Sequence, residues 1–208
     1  MNHGEQAMNY AEGRERLAGL RARIAELRQE MQQVQESVAP QPVDDYVFET
    51  TEGPRHLSQL FDDQDNLFVI HNMGAGCSYC TLWADGYNGV YRQLATRAAF
   101  VVSSPDAPDL QQRLAQARGW RFPMVSHQGS SFAADMGYVD GNGRWLPGVS
   151  VFRRDGEAIL RVSEAGFQPY DDFCIAWHLL AMLPGGAGDW QPQPAFKAAK
   201  VKAGCCGG

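Results

Sequence analysis

The stretch GAGCSYCTLWADGYNG, residues 74–89, places two cysteines two residues apart, between a glycine-rich lead-in and an apolar, aromatic continuation. The apolar residues 66–73 before it predict a buried strand, and residues 78–96 predict a helix that opens directly after Cys77. Free backbone N–H groups and the helix dipole stabilise a thiolate at such a position. The spacing therefore predicts a redox pair in which Cys77 is the nucleophile and Cys80, one turn further along, attacks the mixed disulfide.

The same Cys-x-x-Cys spacing also occurs in zinc sites, which require two further cysteine or histidine ligands. His71 and the distant pair Cys205 and Cys206 are the obvious candidates for these ligands. A third interpretation is that Cys77 and Cys80 are two inert sulfurs. The position of the pair, after a predicted strand and at the start of a predicted helix, favours redox chemistry over both alternatives.

The composition of the 208-residue chain limits the other classes of function. A hydrophobic content of 44% is enough for one substantial core, so we expect one domain with appendages. The net charge of −6 argues against nucleic acid as a partner. There is no signal-like start and no apolar run of about 18 residues, so we expect no membrane contact and a cytoplasmic location. The five cysteines are clustered, which is atypical of a secreted disulfide framework.

A long amphipathic helix is predicted for residues 9–38. Apolar side chains recur there in steps of three and four, which places them on one seam of the helix; they are Leu17, Leu20, Ile24, Leu27, Met31, Val34 and Val38. Charged and amide side chains fill the other faces, and Pro40 and Pro42 end the pattern. Two interpretations remain open: the seam packs on its own domain, or it forms a short coiled coil or swapped arm that joins two copies.

Short apolar runs alternate with helical segments after these prolines, which predicts an α/β domain with a central sheet covered by helices. Strands are predicted at residues 46–49, 66–73, 99–103, 122–126, 149–153 and 158–162, and helical segments at 57–61, 78–96, 107–118, 131–136 and 170–183. The dipeptide Asp155-Gly156 predicts a hairpin between the last two strands, because glycine tolerates a positive φ. We place the boundaries at 1–42 for a helical arm and linker, 43–184 for the α/β domain and 185–208 for a tail.

The order of these elements resembles the thioredoxin fold over residues 46–183. Within that fold, GCSYCTLWADGYNG together with DYVFE, VVSSPD, RGWRFPMVS and GVSVFRRDG is similar to the thioredoxin-like family called domain of unknown function 899, often described as predicted dithiol–disulfide oxidoreductases. The resemblance implies a thioredoxin-like central mixed sheet flanked by helices, here with a long N-terminal helix. It also implies an enzyme that acts on a thiol or disulfide substrate.

Two further site residues follow from the resemblance to the thioredoxin fold. Thioredoxins carry a buried acidic residue six positions before the first cysteine, where it accepts a proton from the second, and this chain has His71 there. His71 could equally be an ordinary strand residue whose ring is hydrogen-bonded nearby. Proteins of this fold also place a cis-proline opposite the cysteines, and Pro147 lies at a suitable distance along the chain, although an ordinary trans proline in a turn is the alternative.

The segment FPMVSHQGSSFAADMGY, residues 122–138, resembles a stretch of peroxiredoxins and raises peroxide reduction as an alternative function. The peroxidatic motif Pro-x-x-x-Thr/Ser-x-x-Cys is absent, since Ile70 and Gly74 occupy its proline and threonine positions relative to Cys77. Ser78-Tyr79 is also similar to the dipeptide of glutaredoxins, some of which hold an iron–sulfur cluster with glutathione. We recognise no glutathione site and predict no cofactor.

The chain carries two further thiols near its C-terminal end, Cys205 and Cys206, which follow three lysines. Nearby positive charge favours thiolate, so this pair could relay electrons to a disulfide between Cys77 and Cys80. The alternatives are a solvent-exposed tail without a role and capture of a soft metal ion.

The remaining candidates receive structural predictions. Cys174 lies in an apolar segment and is predicted to be a small buried hydrophobe. Trp83 and Tyr87 are four residues apart on the helix after the cysteines, a spacing that indicates core packing. Asp85, on the same helix, could reach the thiols if the helix is regular.

Overall fold

The computed structural model describes residues 8–193, which form two compact units, one ending at Pro40 and one beginning at Gln41. The first unit consists of the predicted long helix, α1 (Tyr10–Ser37). A capping box starts this helix, because the Asn9 side chain accepts from the N–H of Glu12 and the Glu12 carboxylate accepts from the N–H of Asn9. No residue of α1 is buried, and its apolar seam is exposed.

A mixed sheet forms the centre of the second unit, with eight strands among the described residues. They are β1 (Gln41–Val43), β2 (Val47–Thr50), β3 (Gly53–His56), β4 (Asn66–His71), β5 (Ala99–Ser104), β6 (Met124–Ser126), β7 (Gly148–Asp155) and β8 (Ala158–Gly166). Their order across the sheet is β1-β8-β7-β4-β5-β6-β2-β3. β5 runs parallel to β4 and β6, and the other neighbours are antiparallel. The predicted central mixed sheet is confirmed.

Helices cover the two faces of this sheet. They are α2 (Ser78–Leu94), α3 (Pro108–Arg118), α4 (Phe132–Asp135) and α5 (Ile175–Leu180), with a 3₁₀ helix at Leu57–Phe61. Alternation along β4 separates two core clusters: Leu67 and Val69 pack with the 3₁₀ helix and α4, whereas Phe68 and Ile70 pack with residues of α2 and α5. No helix among residues 8–193 is both long enough and apolar enough to cross a membrane.

The central strands place the cysteine pair. β4 and β5 pair in parallel with Val69 opposite Val101 and His71 opposite Ser103, so their carboxyl ends lie side by side. All six residues of β5 are buried, which fits the continuous apolar run that predicted it. The loop that leads to the cysteines starts at this edge of the sheet, where open α/β sheets place their ligands.

The two edge strands, β1 and β3, were not predicted, and each contains a proline. Pro42 lies in β1 and Pro54 in β3, at opposite ends of the strand order. Proline has no N–H to donate to a ladder, so strands that contain it are confined to sheet edges.

The last helix is shorter than the predicted residues 170–183. Tyr170 has a φ of 73°, which no helix accommodates. The Asp171 carboxylate accepts from the N–H groups of Gln168 and Phe173 and so holds this segment as a turn. α5 begins at Ile175, with Cys174 as its N-cap residue.

Candidate functional site

The loop between β4 and α2 is fixed by hydrogen bonds before the helix begins. The Asn72 side chain accepts from the N–H of Gly74 at 2.8 Å, and the Gly74 carbonyl accepts from the N–H of Cys77 at 3.0 Å. The N–H of Ala75 donates to the carboxylate of Asp106 at 2.8 Å. Asp106 follows β5, so the neighbouring parallel strand supplies the anchor for the cysteine loop.

Gly74 is required at its position by both conformation and space. Its φ of +100° lies in a region that side chains with a Cβ rarely adopt. A Cβ there would lie 3.0 Å from Oδ1 of Asp106, closer than ordinary contacts allow. Asp106 was not predicted as a site residue, although its place just after a strand parallel to β4 was a usable signal.

Cys77 is the N-cap residue of α2, and its Sγ accepts from the N–H of Cys80 at 3.1 Å. A hydrogen bond from the Cys80 thiol lowers the pKa of Cys77 to about 7, with smaller contributions from the backbone N–H groups of Cys80 and Tyr79. Partial burial opposes this shift but does not cancel it. The half-buried Cys77 is therefore substantially ionised at neutral pH.

Cys80 has the opposite environment. Its side chain is buried, and its Sγ accepts from the N–H of Met73 at 3.4 Å. The hydrogen bond with Cys77 and then burial raise the pKa of the Cys80 thiol. The two cysteines form no disulfide in this structure. The opposite shifts of their pKa values favour ionisation of Cys77 before Cys80.

A narrow crevice beside Cys80 brings three of the predicted site residues together. His71, Cys80 and Pro147 all line it, with the remaining wall formed by Ile70, Asn72, Trp83 and Phe167. The crevice is too narrow to hold a water molecule. The thiol of Cys80 is thus shielded on this side, whereas Cys77 lies outside the crevice.

His71 ends β4 and is buried among aromatic rings. Its Nε2 lies 3.0 Å from the hydroxyl of Ser150, and its ring stacks on Tyr138 with centroids 3.7 Å apart and, at 5.3 Å, on Phe132. Burial holds the pKa of His71 well below 6.5, with smaller contributions from the charges of His127 and Arg161. The imidazole is neutral at pH 7, and no described residue pairs with its Nδ1.

Pro147 lies directly before β7, and the cis peptide bond that the resemblance implied for it is wrong. No peptide bond among residues 8–193 is cis. The Pro147 carbonyl accepts from the N–H of Phe167 at 2.9 Å, which extends the pairing of β7 with β8 by one residue and requires an extended chain there. Pro147 still borders the crevice beside Cys80.

The segment that follows α5 returns to the cysteine helix. The hydroxyl of Tyr79, the second residue after Cys77, donates to Oε1 of Gln191 at 2.6 Å. The ring of Trp190 packs edge-on against Trp177, whose ring centroid lies 5.9 Å from that of Tyr79. No sequence signal indicated this contact. Cys205 and Cys206 lie outside the described residues.

The structural predictions for Cys174, Trp83 and Tyr87 are confirmed, whereas the predicted reach of Asp85 to the thiols is wrong. Cys174 and Trp83 are buried, and Tyr87 packs against the same core cluster. Asp85 binds elsewhere than at the thiols: its carboxylate accepts from Nε of Arg118 at 3.1 Å and from Nε1 of Trp120 at 2.8 Å. This contact fixes the middle of α2 to the end of α3. No group of three or more His, Cys, Asp or Glu side chains within residues 8–193 is arranged to hold a metal ion.

Comparisons with known proteins agree with this architecture. A family model described as "Bacterial protein of unknown function (DUF899)" matches residues 7–199, and no curated protein matches. Among solved structures, peroxidoxin BcpB from Mycobacterium tuberculosis matches with a TM-score of 0.50 and 23% identity, over 59% of this chain and 84% of that one. A peroxiredoxin-like protein from Aquifex aeolicus matches with a TM-score of 0.49 and 13% identity, over 63% and 77%. The likeness to the first of these structures shows the fold, which confirms the predicted thioredoxin-like architecture.

Proposed function

The chain belongs to the bacterial family of unknown function DUF899, and we propose that it is a thiol–disulfide oxidoreductase whose redox centre is Cys77 and Cys80. The observation that carries the proposal is the asymmetry of the pair. Cys77 caps a helix, accepts the N–H of Cys80 at 3.1 Å and has its pKa lowered to about 7, whereas Cys80 is buried with a raised pKa. One sulfur is thus ready to attack while the other is protonated and protected.

The proposed reaction has two exchange steps. The Cys77 thiolate attacks one sulfur of a substrate disulfide, a bond forms between Cys77 and the substrate, and the other substrate sulfur leaves as a thiolate that takes up a proton. Cys80 then loses its proton and attacks Sγ of Cys77, which forms the Cys77–Cys80 disulfide and releases the second substrate thiol. The substrate gains two electrons and two protons; the reverse sequence oxidises a dithiol.

His71 remains the proposed acceptor of the Cys80 proton. His71 borders the same crevice as Cys80, while its ring stacks on Phe132 and Tyr138, and its Nδ1 has no partner among the described residues. Because burial lowers the pKa of His71, a proton would be held there only briefly before transfer. A His71→Asn variant tests this role: the second exchange step should slow while the attack by Cys77 is unchanged, whereas a purely structural role would alter only the stability.

Pro147 is the proposed substrate-facing residue. Its contact with the crevice beside Cys80 supports this role, and the role does not depend on a cis bond. Proline has no backbone N–H, so its nitrogen makes no hydrogen bond that competes with those of a substrate chain.

Cys205 and Cys206 are the proposed electron relay to the Cys77–Cys80 disulfide. Gln191 contacts Tyr79, two residues from Cys77, and Cys205 lies 14 positions after Gln191 in the sequence. That length spans at most about 46–50 Å, so the relay pair can reach the redox centre. A thiolate of Cys205 or Cys206 would attack Cys77 and release Cys80 as a thiol. The neighbouring relay thiol would then displace Cys77, which forms a disulfide between Cys205 and Cys206. An external dithiol would reduce this strained disulfide.

The relay has a direct test. In a Cys80→Ser variant, oxidation should trap a disulfide between Cys77 and Cys205 or Cys206 within one chain, which peptide mass spectrometry detects. Replacing both relay cysteines with serine should slow reduction of the Cys77–Cys80 disulfide by an external protein dithiol. If no such peptide forms and the rate is unchanged, the tail has no relay role. The cytoplasm remains the proposed location, because a reducing compartment maintains these pairs as thiols.

Peroxide reduction is the second candidate function, favoured by the lowered pKa of Cys77, because a thiolate reacts with peroxide. The threonine position of the peroxidatic motif is Gly74, which packs against the carboxylate of Asp106 and offers no hydroxyl to a peroxide. The third candidate function is that of a non-catalytic dimeric or metal-binding module on the same fold.

The reduction potential of the pair separates these functions. The protein is equilibrated in graded dithiol/disulfide redox buffers that cover the range of known oxidoreductases, and alkylated Cys77 and Cys80 are counted by peptide mass spectrometry. A reversible two-electron transition between about −120 and −270 mV is expected, as for known oxidoreductases. Thiols that stay unreactive, or that react only after chelation, would contradict the proposal, and fast hydrogen peroxide turnover would favour the second candidate.

A further inference from the structure

The apolar seam of α1 is the largest exposed feature that the redox proposal leaves unexplained. The helix has 28 residues and is therefore about 42 Å long. Its seam residues, Leu17, Leu20, Ile24, Leu27, Met31, Val34 and Val38, are between 45% and 62% exposed. Their steps of three and four correspond to positions a and d of a heptad repeat, the pattern of a helix that packs against another helix.

The charges of α1 follow the same heptad. All five of its arginines flank the seam, with Arg14, Arg21 and Arg28 at position e and Arg16 and Arg23 at position g. Four of its five glutamates lie on the outer face, and the fifth, Glu30, lies at position g beside the seam. Positions e and g determine the partner and the orientation of a coiled coil, so this distribution identifies what the seam can bind.

The two halves of α1 carry opposite charge. Residues 10–23 contain four arginines and two glutamates, whereas residues 24–37 contain one arginine and three glutamates. This arrangement opposes the helix dipole, which favours acidic residues near the N-terminus and basic residues near the C-terminus. Glu12 does stabilise the isolated helix through the capping box, but the charges of the two halves are complementary to those of an identical helix that runs in the opposite direction.

We propose that two copies of the chain associate through α1 as an antiparallel coiled coil. Ile24 of each copy then packs against Leu27 of the other, and the layers on either side pair Leu20 with Met31 and Leu17 with Val34. Every seam residue from Leu17 to Val34 is covered in this register. A second copy supplies both the apolar stripe and the opposite charge, so no different partner is required.

The flanking charges select the antiparallel orientation. In the antiparallel register, Arg23 of each copy lies opposite Glu30 of the other, and Arg21 lies opposite Arg28. In a parallel coiled coil, where position g faces position e of the next heptad, Arg16 would oppose Arg21 and Arg23 would oppose Arg28. The parallel pair therefore has like charges at both positions, whereas the antiparallel pair has an attractive contact at one of them.

The association is tested on the full chain by sedimentation equilibrium across protein concentrations, with a phosphine reductant present so that no disulfide joins two copies. The wild type should be a reversible dimer. Ile24→Lys places a charge in the centre of the seam and should weaken the dimer at least 100-fold. The matched control Gln29→Lys adds the same charge on the outer face and should leave the dimer unchanged. A wild type that is monomeric at every concentration, or an unaffected Ile24→Lys variant, would overturn the proposal.

The orientation is tested by charge exchange. Arg23→Glu should weaken an antiparallel dimer about tenfold, because two attractive pairs become repulsive, and adding Glu30→Arg to the same chain should restore the wild-type affinity. In a parallel dimer Arg23→Glu would relieve repulsion from Arg28 and tighten the association. Tightening by Arg23→Glu, or no recovery in the double variant, would contradict the antiparallel arrangement.

Discussion

The sulfur of Cys77 lies 3.1 Å from the backbone nitrogen of Cys80, and the N–H of Cys80 donates to it. One atom thus has two functions: it caps α2, and it is the nucleophile of the proposed reaction. Because an ionised acceptor makes a stronger hydrogen bond, capping stabilises the thiolate and the thiolate stabilises the start of the helix. A disulfide formed by Cys77 therefore weakens the hydrogen bond that caps the start of α2.

The reactivity of Cys77 should follow its lowered pKa. The rate of alkylation by iodoacetamide should reach half its maximum near pH 7, since the pKa of Cys77 is about 7, instead of near the 8.5 of an unperturbed cysteine. Burial raises the pKa of Cys174, so that thiol is an internal control that should react slowly at neutral pH. A midpoint for Cys77 at or above pH 8.5, read from peptide mass spectra, would contradict the electrostatic account.

Gly74 should tolerate no side chain. Gly74→Ala forces a Cβ into a conformation with φ of +100° and to within 3.0 Å of the Asp106 carboxylate, so it should cost about 1–3 kcal/mol of stability. Gly76→Ala is the matched control in the same loop, because no atom lies within 4 Å of its added Cβ, and it should cost less than about 1 kcal/mol. Urea unfolding measures both values, and equal losses would argue against this role of Asp106.

The Asp85 carboxylate should contribute substantially to stability. Asp85→Ala leaves the guanidinium of Arg118, whose side chain is 10% exposed, without its carboxylate partner and should destabilise the fold by about 2–4 kcal/mol. Asp140→Ala breaks a pair with Arg144, whose side chain is 76% exposed, together with hydrogen bonds from the N–H groups of Asn142 and Arg144, and should destabilise the fold less than Asp85→Ala. If the two variants unfold at the same urea concentration, the contact between α2 and α3 is unimportant.

Acid should destabilise the protein through its buried histidines. Burial lowers the pKa of His71 well below 6.5 and that of His127 to about 4, so between these values and 6.5 the unfolded chain binds more protons than the folded one. The resulting stability is complete above about pH 6.5 and is lost as the pH falls towards 4, by up to about 3 kcal/mol for His127.

Urea unfolding at several pH values, compared between the wild type and His127→Gln, isolates the contribution of His127. The variant should show a smaller loss of unfolding free energy between pH 6.5 and pH 4.5, because one of the groups that gains a proton on unfolding is absent. Identical slopes for the two proteins would contradict a lowered pKa at His127.

Much of the architecture could be predicted because the central strands and helices have strong local patterns. The helix α1 was predicted from its seam, and the hairpin of β7 and β8 from Asp155-Gly156. The edge strands with Pro42 and Pro54 were missed, since proline usually ends an element and only the neighbouring strand makes these segments extended. The local sequence of a segment does not identify the strand with which it pairs when that strand is distant along the chain.

The candidate site shows the same limit. Cys77 and Cys80 were predicted from their spacing and from their position at the start of a predicted helix, which brings residues three apart together. Asp106 binds the N–H of Ala75, 31 residues away along the chain, and Gln191 binds Tyr79, 112 residues away. Such contacts depend on the assembled sheet.

The most direct test of the redox proposal follows one molar equivalent of the disulfide 5,5′-dithiobis(2-nitrobenzoate) reacting with a chain in which Cys174, Cys205 and Cys206 are serine. This chain should release two equivalents of thionitrobenzoate and end as an unlabelled protein two hydrogens lighter, with Cys77 joined to Cys80. The Cys80→Ser variant should release one equivalent and retain the label on Cys77. If Cys77→Ser reacts as fast as its parent, or if the parent keeps the label, Cys77 and Cys80 are not the nucleophile and the resolving thiol.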